Sequence, residues 1–234
     1  MRGPYSEYAA PPIYVYPSGP KPGVHFSRKE LVQLGIAILA LSAAFTILYI
    51  RSNPVVFFAN PAIFLAYYFP ASLLAVGTGV GLHEVMHKVV AQRYGLWAEF
   101  RYNPQGLLFA FVLAALVGFL YGAPGATWIS GAVTREQNGR ISAAGPLTNV
   151  VIAAVLVAVF LVLLSRASSF GGILLVIYLL PAAASVNAFL AAFNLLPIMP
   201  LDGAKVWAWN KPAYLAIVVT AIVLVGLSLS LPFF

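Results

Sequence analysis

Residues 61–90 read PAIFLAYYFPASLLAVGTGVGLHEVMHKVV. No acidic, basic or histidine side chain occurs before His83; then His83, Glu84, His87 and Lys88 follow in close succession. An apolar run of roughly 20 residues is what a helix needs to cross a bilayer. Ionisable groups inside such a run are costly in hydrocarbon, and by default they carry function. This one stretch therefore predicts both a membrane helix and the seat of a chemistry.

The remainder of the chain agrees. Of 234 residues, 62% are hydrophobic and 8% charged, where soluble domains carry about 25% charged residues. A chain with so little polar surface cannot cover itself against water, so the fold class is an all-α polytopic membrane protein with about 5–6 transmembrane helices. That excludes a soluble enzyme, a nucleic-acid-binding module and a secreted scaffold. The absence of cysteine removes disulfides, thiol catalysis and thiolate metal sites. Residues 1–27 are rich in proline and tyrosine and read as a flexible tail, with residues 28–234 forming a single transmembrane domain.

Crossings are expected over residues 31–50, 61–90, 141–165, 171–198 and 212–231. The apolar run 107–121 is shorter than the roughly 17–25 residues of a span, so it reads as a re-entrant or interfacial segment, with six crossings as the alternative. Small β-strand pieces are expected on either side of it, at Trp97–Tyr102 and 126–134, followed by a charged turn at 135–140. If 107–121 returns to its own side, eleven of the thirteen Lys and Arg residues face one compartment, and only Arg51 and Arg166 face the other. The excess of positive charge on cytoplasmic loops then predicts a cytoplasmic N-terminus and a site toward the cytoplasmic side. The glycines at 77, 79 and 81 lie inside a membrane helix, where they suit close helix packing rather than phosphate binding.

His83 and His87 are four residues apart, so a helix places both imidazoles on one face, able to bind one metal ion. Glu84 falls on the flank, placed to take a proton from water activated by that metal. A hydrolytic zinc site usually has a third protein ligand. Six acidic residues are available: Glu7 and Glu30 belong to or adjoin the tail, Glu99 and Glu136 sit in charged loops, and Glu84 is assigned. Asp202, at the end of a span on the same side, is the acidic residue that remains, and His25, the one spare histidine, lies in the tail and reads as incidental. Asn149, in the first turns of the span from 141, suits two roles equally: hydrogen bonding to a developing oxyanion, or tying one helix to another.

Taken together, HEVMH in one span, GPLTN (residues 145–149) at the start of another and NLLPIMPLDG (194–203) at the end of the next resemble the site-2 protease family of intramembrane zinc metalloproteases. The resemblance covers about residues 61–211 and implies a catalytic core that cleaves transmembrane substrates near the cytoplasmic face. On that basis His83, His87 and Asp202 would hold one Zn2+ per chain, Glu84 would be the general base, Asn149 would help hold the substrate carbonyl or the intermediate, and Asn194 would lie just behind the ligands. Met199 and Ala204 depart from the usual residues of the loop around Asp202, and the sequence has no stretch suited to the PDZ or CBS domains of some relatives. The implied partners are the lipid bilayer and a single-pass transmembrane protein or remnant signal peptide, with no nucleic acid. The strand pieces suggest an edge on which an unwound substrate could pair. The alternative function is a catalytically silent membrane metal-binding relative, a pseudoprotease or metal-handling protein.

Overall fold

With no water in hydrocarbon to satisfy free backbone groups, apolar runs of this length fold as helices. The computed structural model describes residues 23–118, 124–165 and 173–231, without the side chains of 173–178; residues 1–22 of the expected tail lie outside the described residues. The helices are α1 (Arg28–Ser52), α2 (Pro54–Ala59), α3 (Pro61–Val76), α4 (His83–Arg93), α5 (Pro104–Leu116), α6 (Arg135–Ser165), α7 (Ile173–Asn194), α8 (Asp202–Trp209) and α9 (Lys211–Leu229).

Local sequence explains several starts. Prolines 54, 61, 104 and 212 occupy first-turn positions, where a missing N–H costs nothing. Asparagine side chains cap three of these helices: Asn60 accepts from the Ile63 N–H (3.0 Å), Asn103 from those of Gln105 and Gly106 (3.1 Å each), and Asn210 from that of Ala213 (2.9 Å).

Four helical stretches are long and apolar enough to cross a membrane: Arg28–Ser52, the continuous Pro61–Arg93, Arg135–Ser165 and Lys211–Leu229. At 22 residues α7 also has the length of a span. Helix α5, with 13 residues, rises only about 20 Å. The segment containing it begins and ends at one place, because the Asn103 N–H donates to the Pro124 carbonyl at 2.8 Å. The two ends of this segment therefore lie together, and Leu107 and Ala110 of α5 pack against Ala37 and Leu41 of α1. At the far end of α1, Arg51 donates to the Ala115 carbonyl near the end of α5 (2.6 Å).

Strands β1 (Trp97–Tyr102) and β2 (Gly125–Ser130) pair antiparallel, with Trp97 opposite Ser130 and Tyr102 opposite Gly125. The second strand is shorter than the expected 126–134. It stops where Gly131 takes φ +132°, close against Leu96, a turn that a side chain would obstruct. The expected charged turn at 135–140 is also corrected, because it is the first turn of α6. A reciprocal cap starts that helix: the Thr134 N–H donates to Gln137 Oε1 (3.0 Å), and the Gln137 N–H donates to Thr134 Oγ1 (3.1 Å).

Helix α6 is central. Its Ala143, Val150 and Ala153 pack with Ala188, Ala191, Leu195, Val206, Tyr214 and Ala221 from α7 to α9 and the turn between α7 and α8. On the other side, Ala37 and Leu41 of α1 pack with Val76, Phe100, Leu107 and Ala110. Between α3 and α4, residues Gly77–Leu82 form a π-helical stretch. Such a stretch has one extra residue per turn and so re-aims the helix beyond it. Its glycines allow close contact, as expected: a Cβ at Gly79 would lie 3.0 Å from Leu190 Cδ1, and one at Gly81 would lie 2.9 Å from Ile38 Cδ1.

Candidate metal centre

Helix α4 opens immediately after the π-helical stretch, and its first two turns carry His83 and His87. Their Nε2 atoms are 3.0 Å apart. Asp202 comes from the first turn of α8, where the helix dipole favours a carboxylate. Its Oδ2 lies 3.3 Å from His83 Nε2 and 3.1 Å from His87 Nε2. All three side chains are buried.

Three electron-rich atoms this close together repel one another unless a cation or proton lies among them. Zinc bonds of about 2.0–2.1 Å set tetrahedral edges of roughly 3.3 Å, near the observed separations. The tautomer fits as well: His87 Nδ1 lies 2.7 Å from the Ile141 carbonyl, so Nδ1 carries the proton and donates it, and the Nε2 lone pair is left for a metal. Gly145 of α6 supplies the space. A Cβ there would lie 2.5 Å from Nε2 of both histidines, so only a glycine lets both rings stand this close to α6. Among the described residues His83, His87 and Asp202 form the one group of three side chains able to hold a metal ion.

Two glycines bring Asp202 into place. A Cβ at Gly203 would lie 2.1 Å from the Leu195 carbonyl oxygen, so the chain before α8 folds tightly onto its first turn. That same carbonyl accepts from the Tyr214 hydroxyl at 2.8 Å. At Gly139 of α6, a Cβ would overlap Trp209 at 2.2 Å, so α8 lies directly on α6. Lys205 stands 3.7 Å from Asp202 Oδ1.

Glu84 lies on the flank of the ligand pair, and its Oε2 is turned to β2, accepting from the N–H and hydroxyl of Thr127 at 2.8 and 2.9 Å. Asn149 is fully buried and donates to the Gly79 carbonyl (3.0 Å), tying α6 to the π-helical stretch; its Oδ1 has no partner among the described residues. Asn194 bonds within its own helix, to the Leu190 carbonyl (2.9 Å). Sequence reasoning missed Thr127, the Ile141 carbonyl and Tyr214. A carbonyl leaves no mark in a sequence, and nothing distinguishes Thr127 from any other strand threonine.

Behind the site lies a buried ion pair between Lys88 of α4 and Glu30 of α1. Glu30 also accepts the Phe100 N–H of β1 at 3.0 Å.

Comparison with known proteins adds to this geometry. Peptidase family M50 matches residues 71–174, which include His83, Glu84, His87 and Asn149. A protein of Methanocaldococcus jannaschii whose name places it, provisionally, among the zinc metalloproteases is 39% identical over 186 residues, covering 79% of this chain and 86% of that one. No solved structure matches the chain.

Proposed function

The chain belongs to peptidase family M50, the site-2 protease family, and on that footing we propose that it hydrolyses a peptide bond in or near a transmembrane segment of a membrane-protein substrate, with Glu84 as general base. It is a multi-pass membrane protein of a zinc metalloprotease family. The observation that carries the reading is the convergence of His83, His87 and Asp202, drawn from two separate helices, with Glu84 beside them.

His83, His87 and Asp202 would hold a zinc ion, which would supply a Lewis acid and make water easier to deprotonate near neutral pH. The protein's own groups do the rest. The Ile141 carbonyl fixes the His87 ring, and α8 delivers the carboxylate of Asp202. Glu84 takes the proton of the attacking water and returns it to the leaving amine. Asn149 uses one amide N–H on Gly79; we assign the other to the substrate carbonyl. The substrate is a single-pass transmembrane protein or a remnant signal peptide, whose scissile segment must unwind before attack. Basic residues favour a cytoplasmic N-terminus in the cell membrane, with the site toward the cytoplasmic side.

The test pairs metal analysis with cleavage. Purified wild type should contain one zinc per chain and cleave a single-span reporter, and Glu84→Gln should keep the zinc and lose the cleavage. Zinc without cleavage of any reporter in a screened set of single-span sequences would favour the silent metal-binding relative.

A further inference from the structure

The carboxylate of Glu84 is tethered through one oxygen. Oε2 accepts from the Thr127 backbone N–H (2.8 Å) and lies 2.9 Å from Thr127 Oγ1, which is also 3.0 Å from the Glu84 backbone carbonyl. Oε1 has no hydrogen-bond partner among the described residues. The N–H is free for this role because of the strand register. Thr127 faces Phe100 across the ladder, and the N–H groups of this pair both point outward, that of Phe100 to Glu30 and that of Thr127 to Glu84. A carboxylate therefore grips each edge of the ribbon at the same rung.

A glutamate that serves as a base must present one oxygen in a fixed place. Left free, its terminal torsion is broad and roughly two-fold, so the two oxygens exchange roles and the carboxylate sweeps an arc. Donors concentrated on Oε2 remove that freedom and make the oxygens distinct. We propose that Thr127 is the positioning residue of Glu84: it pins Oε2 to β2 and so leaves Oε1 as the oxygen that receives the proton. The proposal rests on Glu84 as general base. It also gives the ribbon a task separate from substrate pairing, because the ribbon holds the base as well as being a surface near it.

The hydroxyl can be tested apart from the N–H. Thr127→Val keeps the shape and the backbone donor, whereas Thr127→Ser keeps both donors. Each is made in the full chain, in wild-type and Glu84→Gln backgrounds. Zinc content, kcat and KM are measured on a fluorescent single-span peptide that the wild type cleaves. Thr127→Val should retain one zinc, with kcat lowered about 10- to 100-fold, the range for a lost hydrogen bond to a charged group or a misplaced reactant. KM should stay within about twofold, as for an interaction made only in the transition state. Thr127→Ser should restore kcat, and Thr127→Val should have no further effect on the residual activity of Glu84→Gln. An unchanged kcat, an equal loss in the Glu84→Gln background, loss of zinc or failure of serine to rescue would each overturn the proposal.

Backbone hydrogen exchange at Thr127 gives a readout independent of turnover. The amide should be protected in wild type and Thr127→Val and should exchange faster in Glu84→Ala; equal exchange in all three overturns the tether. A Glu84→Gln enzyme as active as wild type would refute the general-base reading instead, and with it the assignment of Oε1, while the exchange experiment would still report on the tether.

Discussion

Gly145→Ala should abolish zinc binding while leaving the helices folded. The new Cβ would lie 2.5 Å from Nε2 of His83, 2.5 Å from Nε2 of His87 and 2.7 Å from Cδ2 of His83. Ordinary contact between such atoms is about 3.5 Å, so the overlap is on the order of 1 Å with both rings at once. A zinc ion would need both nitrogens at about 2.0–2.1 Å, and the methyl forces both rings out of their present positions. Relief by moving α6 is opposed, because Gly139, earlier in the same helix, already lies against Trp209. Relief by turning the imidazoles breaks their convergence on Asp202. The substitution itself suits a helix, since alanine is favoured over glycine by about 1 kcal/mol. Changes merely behind a metal's ligands cost about 10- to 100-fold in affinity, and this one displaces two of the three candidate ligands directly, so a loss above a hundredfold is expected. Chelator competition and elemental analysis on the detergent-solubilised protein would measure it, with a thermal melt of the metal-free forms to check folding. Gly35→Ala is the control, because a Cβ there meets nothing within 4 Å. One zinc per chain at wild-type affinity in Gly145→Ala would refute the placement of the metal between these rings.

Asp202→Ala should lower zinc content well below one per chain, and retention at full affinity would mean that another residue supplies the third ligand. Glu84→Gln should keep zinc and lose about 10²–10⁴ in turnover, the usual contribution of a general base; an active variant would end that assignment. Lys88→Met strands the buried carboxylate of Glu30 and should destabilise the protein by about 3–5 kcal/mol, with much of the loss recovered by adding Glu30→Gln. Melting curves of the single and double variants decide this, and a double variant no better than the single would count against it. With no native cysteine in the chain, single cysteines at Arg93 and Arg135 report topology directly. Both should react with an impermeant thiol reagent from the same face of the membrane, and labelling from opposite faces would show that the segment with α5 crosses.

The group of side chains that could hold a metal was legible because composition left so few choices. Two histidines at helical spacing and six acidic residues in 234 leave little room for another assignment. The ribbon was legible through its strand composition, and the long helices through the length of their apolar runs, though their ends were less so. The first turn of α6 was misread as a loop because its charges outweighed its cap, although Thr134 and Gln137 spell that cap in the sequence. Helix α8 was not foreseen, since its eight residues follow a proline-rich turn and are too few for their helical period to stand out. The π-helical stretch could not be foreseen either, because an extra residue in a turn changes hydrogen-bond spacing and leaves composition untouched. Between the two roles left open for Asn149, the structure shows a bond to Gly79, a pairing set by tertiary approach and invisible along the chain.

The hydrogen bond that joins Asn103 to Pro124 makes the stretch between them a closed detour. A detour that ends where it began adds an even number of membrane passages, zero included, whatever its length. Residues could be inserted into it or removed from it without inverting anything downstream, so His83, the start of α6 and Asp202 would keep their present relation to one another. For a catalytic centre assembled from motifs on both sides of that detour, this parity separates a variable part of the chain from the part that must not turn over. Insertions between Pro104 and Leu116 should therefore be tolerated in orientation even where they disturb the packing against α1.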